Sequence, residues 1–145
     1  MGTTNLIQPI LLIEDNPVDL DLTLRAFKKR KLANPIEIAR DGEEALAYIE
    51  KWKNGDPVPV VILLDLNLPK VNGLEVLEAI KTHPDFKIIP VVVLTTSSES
   101  RDVHASYQSG ANSYIVKPVD FDKFMEVAKQ IELYWSVLNR PVEFK

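Results

Sequence analysis

Short runs of apolar residues alternate along the chain with longer stretches in which apolar positions recur at helical spacing. Ile10-Leu11-Leu12-Ile13 and Val60-Val61-Ile62-Leu63-Leu64 are too short for ordinary helices and rich in branched side chains, so both read as buried strands. The first, about residues 7 to 14, gives way to Asn16-Pro17, an N-cap and first-turn pair, and then to a helix carrying Val18, Leu22 and Phe27. A brief second strand near Ile36 to Ala39 leads through Asp41-Gly42 into a helix with Ala45, Leu46, Ile49 and Trp52, which the turn residues Asn54-Gly55-Asp56-Pro57 end. Beyond the third strand, Pro69 and Gly73 precede a helix through Val76, Leu77 and Ile80, closed by His83-Pro84. The fourth strand is Val91 to Thr95, followed by a polar helix from about Ser98 to Ser109 and by Gly110. The fifth is Tyr114 to Lys117, and after Pro118 a long last helix starts from an Asp120 cap.

Five strands alternating with helices predict βαβ units, hence an α/β fold with a doubly wound parallel sheet and right-handed crossovers. The flavodoxin-like strand order 2-1-3-4-5, a (βα)5 architecture, would put strands 1 and 3 side by side at the switch point, where ligands bind beyond the carboxyl ends of the strands. No internal repeat, low-complexity segment or linker divides the chain. One domain over residues 1–145 is expected, with a short tail at 1–5 and an extended last helix and tail at 120–145.

The strand ends carry the chemistry. The first strand stops at Glu14-Asp15 and the third at Asp65, which brings three carboxylates to one edge. Such a group would repel itself and raise its own pKa values unless a cation sat among it, and hard oxygen ligands suit Mg²⁺. Thr95 and Lys117 end the fourth and fifth strands on the same edge. An aspartate that accepts a phosphoryl group needs both a hydroxyl donor and a compact cation for the phosphoryl oxygens, because charge accumulates there in the transition state. Taken singly, Asp65 could be a turn former, Thr95 a cap for the next helix and Lys117 a surface residue.

Composition narrows the class without choosing a function. The 46% hydrophobic and 26% charged content is that of an ordinary globular domain, and a formal charge of −4 argues against general binding to nucleic acid. Lys28-Lys29-Arg30-Lys31 falls at a helix end, where cations suit the macrodipole. With no cysteine, signal-peptide pattern or membrane-spanning apolar stretch, the expected location is the cytoplasm, away from the membrane.

Glu14-Asp15, Asp65, Thr95 and Lys117-Pro118, in this order on alternating elements, resemble the receiver domain of two-component response regulators, the CheY-like family. Pro69 and Gly73, Gly110 and Tyr114 extend the likeness over almost the whole chain. The stretches Leu-Asp-Leu-Asn-Leu-Pro-Lys and Leu-Thr-Thr-Ser, with Ile-Glu-Leu-Tyr-Trp near the end, resemble the phytochrome-associated single-domain regulators in particular. The resemblance implies that Asp65 takes a phosphoryl group from a histidine kinase, that Asp15 and Asp65 bind Mg²⁺ directly with Glu14 acting through water, and that Asn67 adds a backbone carbonyl. It implies a cis Lys117-Pro118 bond that aims the lysine inward. It also implies a switch in which Thr95 and Tyr114 move together, with the helix 4, strand 5 and helix 5 face as output. Tyr114 as a static edge aromatic stays open.

Asn67, Thr96 and Ser97 are expected to set the lifetime of the phosphorylated state, with slow self-dephosphorylation and no other enzymatic activity. His83 and His104 read as surface residues. The last helix is apolar over more than one stripe, through Phe124, Tyr134 and Trp135, which makes these the interface candidates for a homodimer. Trp135 folding back onto the core is the alternative. A haloacid-dehalogenase-type phosphatase would need an acid where Asn67 stands, and a flavin carrier would need a phosphate cradle where Glu14-Asp15 stand. A receiver fold that docks without phosphate is the remaining alternative.

Overall fold

The computed structural model describes residues 8–118 and 120–133. Its elements run β1 (Ile10–Ile13), α1 (Pro17–Lys29), β2 (Ile36–Ala39), α2 (Gly42–Lys53), β3 (Val61–Leu64), α3 (Gly73–Lys81), β4 (Val91–Thr95), α4 (Ser100–Gln108), β5 (Ser113–Val116) and α5 (Phe121–Leu133). All pairings are parallel and the order is β2-β1-β3-β4-β5, the flavodoxin-like order expected.

Side chains alternate across a strand, so each strand feeds two cores. Leu11, Ile13, Ile62, Leu64, Val91 and Val93 pack with Trp52 of α2 and Leu77 of α3 on one face. Ile10, Leu12, Val61, Leu63 and Val92 pack with Phe27 of α1 and Phe124 of α5 on the other. Strands covered on both faces read as unbroken apolar runs, which is why the central ones were legible as such.

Local chemistry sets the helix starts. Asn16 caps α1 by accepting from the N–H groups of Val18 and Asp19, with Pro17 at the first helical position. Asp41 and Asn72 cap α2 and α3 in the same way. The helix after β4 starts at Ser100 rather than Ser98, because the Ser97 hydroxyl accepts from the Glu99 N–H and donates to Asp102, which holds the intervening residues in a turn. Lys28 and Lys29 occupy the last turn of α1, as the macrodipole favours, and Arg30 pairs with Glu132 of α5 at 2.7 Å.

Phe124 is a core residue, 2% exposed, and is withdrawn as an interface candidate. The stripe Phe124, Ala128, Ile131 faces the sheet, at the spacing that one buried helix face requires. Tyr134 and Trp135 lie outside the described residues. No described helix is long and apolar enough to cross a membrane.

Candidate functional site

The carboxyl edge of the sheet is built by its register. Ile13 pairs with Leu64, so the next residues, Glu14 and Asp65, leave neighbouring strands at the same level. The ladder runs on past both: the Glu14 N–H donates to Ala39 O and the Asp65 N–H to Ile13 O, each at 3.0 Å. On the other side, the Lys117 N–H donates to Thr95 O at 2.7 Å, one residue beyond β5. Pro118, which has no N–H, ends the pairing there.

Parity decides which way these side chains point. Glu14, Asp65 and Lys117 follow Leu12, Leu63 and Ile115 at the two-residue period, on the face covered by α1 and α5. Thr95 follows Val93 on the opposite face, where Tyr114 also packs. Among the described residues no peptide bond is cis, which corrects the expectation for Lys117-Pro118. Strand parity is enough to turn the lysine inward.

Lys117 is the centre of the charge arrangement. Its ammonium lies 2.6 Å from Glu14 Oε1, 2.8 Å from Asp19 Oδ2 and 2.9 Å from Asp65 Oδ2, with the lysine side chain only 4% exposed. Asp19, in the first turn of α1, was not singled out from the sequence. Its signal was available in retrospect, because parity puts the lysine under α1 and the Asn16 cap fixes which residue of the first turn faces it.

Burial is the largest influence on all three central groups. It pushes Glu14 up to about 7, against the pull of Lys117 and with the help of neighbouring Asp65. Burial would raise Asp65 as well, but hydrogen bonds from Glu14, Lys117 and the Asn67 N–H outweigh it and hold Asp65 below the usual carboxylate range. Burial opposes the charge on Lys117, and the carboxylates of Asp19, Glu14 and Asp65 overcome it, leaving the ammonium harder to deprotonate than a free lysine. Near neutral pH Glu14 therefore takes up and gives off a proton, while Asp65 is an anion beside a fixed cation.

Glu14, Asp15 and Asp65 each offer a carboxylate oxygen, and these atoms lie within 4.8 Å of one another. A purely oxygen donor set that includes a buried glutamate raised by its surroundings fits a hard divalent cation, which would replace the proton. Asp15 is exposed, leaving the outer side of such a site open to water.

The remaining sequence candidates fall around this pocket. Thr95 is fully buried, and its hydroxyl oxygen has no hydrogen-bond partner among the described residues. Asn67 is exposed, with its N–H donating to Asp65 Oδ1 at 3.1 Å. Thr96 is exposed and Ser97 half-buried. Ser97 does not offer its hydroxyl to the pocket; that group donates to Asp102, while its carbonyl accepts from the Tyr114 hydroxyl at 2.8 Å. Tyr114 thus ties β5 to the β4–α4 loop. His104 is exposed, and His83, half-buried, stacks on Phe86.

Residues 10–129 match the model of the response regulator receiver domain. The chain is 43% identical to response regulator Rcp1 of Synechocystis sp. over 129 residues, covering 87% of each protein. It superposes on the crystal structure of the phosphorylated cyanobacterial phytochrome response regulator RcpA with a TM-score of 0.86 at 38% identity, over 95% of this chain and 100% of that one. The Mn²⁺-bound form of response regulator Rcp1 gives a TM-score of 0.84 at 40% identity, over 94% and 99%.

Proposed function

The chain belongs to the response regulator receiver domain family, and on that premise we propose that Asp65 accepts a phosphoryl group from the phosphohistidine of a sensor kinase in a Mg²⁺-dependent reaction. The observation that carries the reading is the ionised, low-pKa Asp65 held 2.9 Å from the Lys117 ammonium beside an acidic cluster suited to a divalent cation. A carboxylate is a weak nucleophile toward an anionic phosphorus centre unless charge is neutralised around the equatorial oxygens. A bound Mg²⁺ would supply part of that neutralisation, and Asp15, Asp65, Glu14 and the Asn67 carbonyl are the groups that would hold it.

Asp65 attacks phosphorus, the bond to the imidazole nitrogen breaks, and an aspartyl phosphate forms. Lys117 then turns a donor from the carboxylate to a phosphoryl oxygen. The Thr95 hydroxyl, buried without a partner, gains one in the phosphoryl group. An unsatisfied buried hydroxyl costs about 1–3 kcal/mol, so this gain favours the phosphorylated conformation. Movement of Thr95 is passed to Tyr114, whose hydroxyl rests on the same loop, and so to the face formed by α4, β5 and α5.

Tyr107, Val116 and Leu133 keep large apolar surface exposed on α4, β5 and α5. A second copy of this chain, in a homodimer, is the occupant proposed for that face. RcpA is described as a phytochrome response regulator, which supports a phytochrome-type histidine kinase as the input partner. The Ser97 hydroxyl spends its one donor on Asp102 and has none left for an attacking water, which supports a long-lived phosphoryl group.

Incubation with acetyl phosphate and Mg²⁺, followed by intact mass, tests the reading. One added phosphoryl group is expected, absent from Asp65→Asn and from a metal-free control. No addition to folded, Mg²⁺-binding protein would overturn it and leave a docking module that works without phosphate.

A further inference from the structure

An ammonium has three N–H donors, and Lys117 directs all three at carboxylates. Two of these, Glu14 and Asp65, belong to the acidic cluster that fits a divalent cation. Both therefore lose charge available to the lysine whenever a cation binds, and Asp65 loses more on becoming an acyl phosphate. Asp19 lies outside that cluster, so a cation held there would leave its carboxylate to Lys117.

Its position is well fixed. The Asn16 side chain accepts from the Asp19 N–H at 3.1 Å, and the Asp19 carbonyl accepts from the hydroxyl of buried Thr23 at 2.8 Å. The carboxylate is 23% exposed, sheltered enough to hold a directed ion pair, and it stands at a helix start, where negative charge is favoured.

We propose that Asp19 is a positioning residue for phosphoryl transfer: it anchors one N–H of Lys117 to the α1 wall of the pocket, so that the other two stay directed at Asp65 and the incoming phosphoryl oxygens. The inference rests on Asp65 being the phosphoacceptor. Lysine is a flexible four-carbon stem, and an ammonium without a permanent partner would have to be ordered again at each transfer.

The test compares wild type with Asp19→Ala and Asp19→Asn in initial rates of phosphorylation by acetyl phosphate, titrated with Mg²⁺. Loss of a negative charge beside the cluster raises the Mg²⁺ half-saturation in both variants alike. Loss of the anchor lowers the rate at saturating Mg²⁺ by about tenfold in Asp19→Ala, the worth of one charge-assisted hydrogen bond. Asp19→Asn retains an acceptor oxygen and recovers most of that rate. An unchanged saturated rate in Asp19→Ala overturns the proposal, and so does an equal fall in both variants, which would make the effect one of charge alone. Should the alanine protein fail to fold by circular dichroism, Asp19→Ser, whose hydroxyl is too short to reach the ammonium, takes its place in the same comparison. Failure of the phosphoacceptor reading is distinct, since wild type itself would then gain no phosphoryl group.

Discussion

Replacing Lys117 with methionine leaves an unbranched side chain one atom shorter and removes the cation from a pocket of carboxylates 2.6 Å, 2.8 Å and 2.9 Å away. Breaking a buried ion pair by deleting one partner typically costs about 3–5 kcal/mol, because the other partner is left desolvated and uncompensated. Asp19 is partly in water and contributes little of this; Glu14 and Asp65, 2% and 6% exposed, contribute most. For a domain of this size the loss corresponds to a fall of about 10–20 °C in Tm. The penalty has two outlets. Protons can neutralise the carboxylates, so it shrinks by up to about 1.4 kcal/mol per pH unit for each proton taken up as the solution is acidified. A divalent cation can stand in for the ammonium, so saturating Mg²⁺ restores more stability to Lys117→Met than it adds to wild type. Urea unfolding followed by far-UV circular dichroism, in EDTA and in MgCl₂ on either side of neutral pH, reads all three effects. If the variant matches wild type in EDTA at mildly alkaline pH, or loses the same amount with and without Mg²⁺, the account of the pocket as a charge cluster held by one lysine is wrong.

Phe124→Ala, which empties a buried site between α5 and the sheet, is expected to cost about 3–5 kcal/mol in urea unfolding while leaving oligomeric state by light scattering unchanged. Burial pushes Glu14 from the ordinary glutamate value of 4.5 up to about 7 in the folded chain, so between those values the folded state binds the extra proton and metal-free stability falls as pH rises. Glu14→Gln should flatten that fall and raise Tm in EDTA at alkaline pH, whereas a variant with an unaltered pH profile would contradict the assignment. Gly73→Ala would press a methyl to 2.5 Å from the Asp65 carbonyl oxygen and the Leu66 Cα, which are backbone atoms that cannot swing away. Lower Tm together with slower phosphorylation by acetyl phosphate is expected, and normal behaviour in both would refute the close approach.

The residues at strand ends were legible because strand, turn and chemistry are neighbours in sequence. Val61–Leu64 ends one position before Asp65, and Val91–Thr95 ends on the threonine itself. Asp19 was not legible in that way, since its distance to Lys117 depends on how α1 lies across the sheet, a matter of packing between residues 98 positions apart. Phe124 was misplaced for a related reason. Counting apolar positions on the last helix showed more than one stripe, but only the sheet beneath decides which stripe is inside. The polar helix α4 buries Ser106 alone, so its start was governed by the hydrogen bonds of Ser97 and not by any hydrophobic period.

The lysine that holds the pocket together comes last. Glu14, Asp15 and Asp65 precede it in the chain, Asp65 by 52 positions, which at ~5–20 residues per second is about 3–10 s of synthesis. A nascent chain at that point possesses every acidic group and no counter-ion of its own, so its half-built sheet depends on protons or on dissolved divalent cations until the fifth strand emerges. The same order makes the ammonium a completion signal: only a chain long enough to include Lys117 can close its acidic edge without outside help, and a fragment ending before β5 should gain far more protease resistance from Mg²⁺ than the whole chain does.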